Sequence, residues 1–96
     1  MIQTNFPIER AMTEEIELIY SPLQQTYTED GQTVSIQIYR SADSGWTLEV
    51  VDQYGNSTVW EAEFETDQEA LDQVMWEIKE DGIKALIGPE PEVTVH

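Results

Sequence analysis

Residues 45–82 read GWTLEVVDQYGNSTVWEAEFETDQEALDQVMWEIKEDG, and a change of period inside this stretch decides the fold. Trp46, Leu48 and Val50 alternate with Thr47, Glu49 and Val51, as in a strand with one buried face. Trp60, Ala62 and Phe64 alternate in the same way with Val59, Glu61 and Glu63. The segment between them, Asp52-Gln53-Tyr54-Gly55-Asn56-Ser57, is made of turn residues. Beyond Thr66 the spacing becomes helical, with Leu71, Val74, Met75 and Ile78 on one stripe and Ala70 at its edge. A helix this polar has to lean on a sheet to persist.

The register of the two strands is read from burial. An odd loop, Tyr54-Gly55-Asn56, pairs Val50 with Trp60, Leu48 with Ala62 and Trp46 with Phe64. A two-residue loop would set Val50 against Glu61, and a slip of one residue turns a whole side-chain set to the wrong face. Thr66 followed by Glu69 forms a capping box at the helix start, where Asp67 and Glu69 also suit the positive helix end. Gly82 is the expected helix stop.

Working outward, Asp30-Gly31 lies between alternating residues and marks a second hairpin, with Tyr27 facing Val34 and Leu23 facing Ile38. Val34, Ile36 and Ile38 then join the core face, with Ile38 beside Leu48 and Ile36 beside Val50. Thr13–Tyr20 reads as a short helix ended by Ser21-Pro22, although Ile16, Leu18 and Tyr20 also alternate as in a strand. After Gly82, residues Ile83, Ala85, Leu86 and Ile87 are expected to fold back as a last turn. The fold class is therefore α+β: a four-stranded antiparallel meander with a C-terminal helix on one face and a short N-terminal helix. Residues 13–88 form the single domain, flanked by a flexible N-terminal segment (1–12) and a flexible tail (89–96).

Composition narrows the chemistry. The 96 residues contain no cysteine, which excludes disulfide and thiolate chemistry and fits a reducing, cytoplasmic setting. The one histidine is His96, the last residue, so no Cys–His or Ser–His–Asp set is expected within the domain. Phosphate-binding and nucleophile-elbow motifs are absent, and no acidic run has the spacing of a calcium loop. No cofactor and no metal are expected. No run approaches the about 18 apolar residues of a membrane span, and no secretory signal is visible.

Charge is the dominant property: four Lys and Arg against 20 Asp and Glu give a net −16. Direct contact with nucleic acid or an anionic membrane is disfavoured. The reading that follows is a small acidic, non-enzymatic binding or adaptor protein with a basic protein partner. Solubility through net charge is the competing explanation. Two alternatives belong to other classes: an acidic nucleic-acid mimic that blocks a DNA- or RNA-binding protein, and an enzyme using a carboxylate pair.

Two surfaces are candidates for partner binding. The open sheet face offers Tyr39, Glu49, Val51, Val59, Glu61 and Glu63, with Glu49 directly opposite Glu61 in the expected register. The helix back offers Trp76, almost opposite the apolar stripe and ringed by acids. A homodimer, if formed, is expected to use Trp76, Ile83 or a sheet edge, because an acidic face repels its copy. Trp76, Ile83, Tyr39, Glu49, Glu61 and Glu63 are thus the candidate partner-binding residues.

Overall fold

The computed structural model describes residues 17–90. In chain order these form β1 (Ile19–Tyr20), β2 (Gln25–Glu29), β3 (Gln32–Arg40), β4 (Thr47–Asp52), β5 (Ser57–Val59), α1 (Asp67–Asp81) and a 3-10 turn (Ile83–Leu86). All strand pairs are antiparallel. Across the sheet, β4 lies between β3 and β5, while β2 and β1 share the other edge of β3. The architecture is the expected α+β meander with one edge strand split in two.

The β2–β3 hairpin turns at Asp30-Gly31, whose φ angles of 55° and 77° are the left-handed pair that a two-residue hairpin needs. Tyr27 faces Val34, Ile36 faces Val50 and Ile38 faces Leu48, as the alternation requires. The expected pairing of Leu23 with Ile38 is replaced. Ser21 N–H donates to the Ile38 carbonyl at 2.9 Å, and the Ile38 N–H donates to the Gln24 side-chain Oε1 at 2.9 Å. Pro22 has no N–H for a ladder, so the chain bulges there and a side chain completes the edge.

Ile19 and Tyr20 are a strand rather than the end of a helix. They pair with Arg40 and Tyr39, the end of β3 that β2 does not reach. An unpaired β3 edge would waste backbone donors and acceptors, and the ladder outweighs the helical spacing. Residues 13–16 of the expected helix, the expected N-terminal segment 1–12 and residues 91–96 of the expected tail lie outside the described residues.

The β4–β5 hairpin closes one step away from the expected loop. The buried Asp52 carboxylate accepts N–H groups of Tyr54 and Asn56 on Oδ1, at 2.9 and 2.8 Å. Its Oδ2 accepts the Asn56 side-chain amide at 3.0 Å and the Gly88 N–H at 2.6 Å. Asp52 N–H in turn donates to the Asn56 carbonyl at 2.9 Å, so the loop is Gln53-Tyr54-Gly55. Val50 therefore faces Thr58, and Trp60 N–H donates to the Leu48 carbonyl. The shift is two residues, which keeps every side chain on its expected face. Trp60 still packs on the core, but Ala62 is exposed rather than paired with Leu48.

Beyond Trp60 the chain leaves the ladder and rejoins it at one bridge, Trp46 with Phe64, as expected. Gly45 permits that return, since a Cβ there would lie 3.0 Å from the Phe64 carbonyl and 3.1 Å from the Glu63 Cβ.

Thr66 caps α1 through its hydroxyl, which accepts the Glu69 N–H at 3.0 Å. Gly82 ends the helix with φ 84°, its N–H donating to the Ile78 carbonyl. The buried ridge is Ala70, Val74 and Ile78, with Leu71 and Met75 half-buried beside it. The helix is rotated from the expected stripe because small Ala70 allows the closest approach to the sheet, and an i, i+4, i+8 ridge packs well there. The core joins these residues to Val34, Ile36, Ile38, Leu48 and Val50 of the sheet and to Ile83 and Leu86 of the 3-10 turn.

Two polar ties fasten the layers at their ends. Buried Ser21 donates its hydroxyl to the Asp67 carboxylate at the helix start, at 2.8 Å. Trp60 Nε1–H donates to Glu77 at 2.9 Å, and the Gln73 amide donates to the same oxygen at 2.7 Å. At the C-terminal side, the Pro89 carbonyl accepts the Asn56 amide at 2.9 Å.

Candidate functional site

The two-layer fold leaves two faces uncovered within the described residues: the sheet face away from α1, and the back of α1. Their chemistry differs. On the sheet, Tyr20, Tyr39 and Thr47 form one cross-strand row. Gln37, Glu49 and Val59 form the next, followed by Thr26, Ser35, Val51 and Ser57. Glu49 is the one charged side chain among the strand-paired residues of this face.

Glu49 is also heavily bonded. Tyr39 donates its phenol to Oε1 at 2.8 Å, and Ser57 donates its hydroxyl to Oε2 at 2.6 Å. Partial burial, reinforced by the Glu49 carboxylate, pushes the Tyr39 phenol above its ordinary value. The tyrosine therefore stays neutral and donating throughout the physiological range. Tyr20 stands beside it, with ring centroids 6.1 Å apart and planes tilted by 55°.

Of the two glutamates expected on the face of Glu49, one has moved and one has kept its place. Glu49 faces Val59, so the opposed carboxylates Glu49 and Glu61 are not formed. Glu61 is exposed on the irregular segment after β5, and Glu63 bonds the Gly45 N–H at 3.0 Å near the Trp46–Phe64 bridge. Early closure of the hairpin by Asp52 removed Glu61 from its place opposite Glu49, while the Trp46–Phe64 bridge keeps Glu63 in its expected register at the rim of the face. The strand-paired part of the open face consequently carries the single charge of Glu49 and is rich in hydroxyl and amide groups, with Tyr20 58 % and Val59 50 % exposed.

Negative charge gathers instead on the helix layer. Nine of the 20 Asp and Glu fall between Glu61 and Asp81, with Lys79 the one base in that span. Trp76 is 56 % exposed on the back of α1, as the helical spacing predicts. One turn to either side lie exposed Asp72 and Glu80, with Glu69 a further turn toward the N-terminus. Gln68 steadies Asp72 through a 2.8 Å bond from its side-chain amide. An aromatic ring with a hydrated acidic rim suits the anchor of an interface with a cationic surface.

Ile83 was expected to offer a surface contact and is instead 1 % exposed, a core residue under the helix end. The Gly82 stop turns the chain inward there into the expected last turn, and that turn buries Ile83 rather than presenting it. Tyr20 is a surface residue that the helical reading of 13–20 concealed; its signal was the alternation of Ile16, Leu18 and Tyr20.

Among the described residues, no group of three or more His, Cys, Asp or Glu side chains is placed to hold a metal ion. No helix there is long and apolar enough to cross a membrane. Compared with known protein families, curated proteins and solved structures, the chain matches none.

Proposed function

We propose that this chain is a small acidic binding or adaptor module, without catalytic function, that engages a basic protein through the outer face of α1. Trp76 is the anchor, and Glu69, Asp72 and Glu80 supply the charge. The observation that carries the reading is a half-exposed tryptophan flanked by exposed Asp72 and Glu80, on a helix whose opposite side is buried in the core through Ala70, Val74 and Ile78. Burying such a ring against a cationic side chain contributes apolar area and cation–π attraction together. The surrounding carboxylates raise the association rate with a basic body.

The second reading is a nucleic-acid mimic, in which the basic partner is a DNA- or RNA-binding protein. The alternation Glu61, Glu63, Glu65 on exposed backbone before the helix extends the negative surface and favours this form. Either form disfavours the membrane and direct nucleic-acid contact, and fits a cytoplasmic setting.

The test is affinity capture from host extract on the tagged protein, beside Trp76→Ala. The expected result is a basic protein retained by the wild type, released at about 0.5 M salt as screening sets in, and lost from Trp76→Ala. Competition by duplex DNA for that partner would select the mimic form. Equal retention by Trp76→Ala would refute the anchor.

A further inference from the structure

The open sheet face has a chemistry unlike the rest of the surface, and this difference selects an occupant. Two copies carrying −16 each repel wherever their acidic faces meet. The helix layer, with six acids in α1, is therefore closed to self-contact. The strand-paired part of the sheet face is not, because it carries one carboxylate, Glu49, whose oxygens are already bonded by Tyr39 and Ser57, while Glu63 at its rim is bonded by the Gly45 N–H.

We infer that the chain self-associates face to face through this sheet, with Tyr20, Tyr39, Val51 and Val59 as the apolar contacts and the α1 layers turned outward. A weakly charged surface among acidic ones repels its own copy least, and a twofold axis lets the same rows meet each other. Serine, threonine and glutamine side chains across the rows supply donors and acceptors in both directions.

The area sets the strength. Four strand positions about 4.8 Å apart and about six residues long at about 3.4 Å per residue present a footprint of about 400 Å². A standard interface takes about 800 Å² of accessible surface from each partner. The dimer is accordingly weak, with dissociation in the micromolar range or above, and screening of the mutual repulsion strengthens it. This salt dependence is opposite in sign to that of a basic partner on α1. The inference does not rest on the Trp76 reading, and either can fail alone.

Sedimentation equilibrium of the full chain tests it. At protein concentrations up to about 1 mM, a range matched to a weak interface, the mass is expected to rise from 11.0 kDa toward twice that value. It should rise further between about 0.05 and about 0.5 M sodium chloride. Val59→Asp and Tyr20→Asp, each placing charge on an exposed position of the face, should each weaken the dimer at least about tenfold, as like charges across an interface do. Trp76→Ala should leave it unchanged. Circular dichroism verifies the fold of each variant, and if one is unfolded the other is read. A wild type that stays monomeric throughout, a dimer that dissociates on adding salt, survival of the dimer in a folded face variant, or its loss in Trp76→Ala would each overturn the inference.

Discussion

Ile78→Ala in α1 should be among the most damaging single changes in this protein, and its magnitude can be worked from its surroundings. Ile78 is 4 % exposed and lies in the buried cluster with Val74, Ile38, Leu48 and Ile83. The change removes three carbons, a transfer loss of about 2.4 kcal/mol at about 0.8 kcal/mol per methylene. Sheet, helix and 3-10 turn enclose the site, so it collapses incompletely and a cavity adds to the loss, for a total of about 3–4 kcal/mol. Leu71, on the half-exposed flank of the same helix, loses part of that transfer and leaves a gap that water can enter. Leu71→Ala should cost about 1–1.5 kcal/mol by the same scale. For a domain of this size the larger loss lowers Tm by roughly 12–30 °C. Urea unfolding followed by tryptophan fluorescence and by circular dichroism measures both variants. A Leu71→Ala cost equal to or greater than that of Ile78→Ala would mean that α1 is turned toward the stripe read from spacing, and would refute the packing argued here.

Other perturbations separate the remaining contributions. Thr66→Ala removes the hydroxyl that accepts the Glu69 N–H and should cost about 1 kcal/mol in the same urea experiment. Asp52 is pushed upward by burial, but its bonds from the Asn56 side chain and from the Gly88, Asn56 and Tyr54 backbone prevail, lowering it from 3.8 to about 2. A folded value below the unfolded one gives stability that is complete above about pH 4 and lost as pH falls through about 2. Asp52→Asn puts an amide N–H₂ against groups that themselves donate, so it should lower Tm at pH 7. The difference from wild type should narrow between about pH 4 and about pH 2; a difference independent of pH would contradict the role given to the carboxylate. Added sodium chloride at pH 7 should raise Tm by screening the −16 charge, and a fall would contradict it.

Local period was enough for much of this fold. Alternation at 34–38 and 46–50, the Asp30-Gly31 turn, the Thr66 cap and the Gly82 stop each act within a few residues, and they lead to the meander, its core rows and the helix that closes it. Trp76 was legible for the same reason, because helical spacing alone turns it away from the apolar side. The tertiary structure decided what depends on contacts between distant residues. Asp52 could choose its loop only by collecting donors from Asn56 and Gly88, 36 positions away in the second case. That choice removed Glu61 from its place opposite Glu49 and left Glu49 the one charged side chain among the strand-paired residues of the open face. Tyr20 became a strand residue because β3 had an edge to fill, and Ile83 became core because the chain turns inward after Gly82. Net charge is a property of composition, whereas its segregation onto the helix layer exists only once the hairpin register and the rotation of α1 are set.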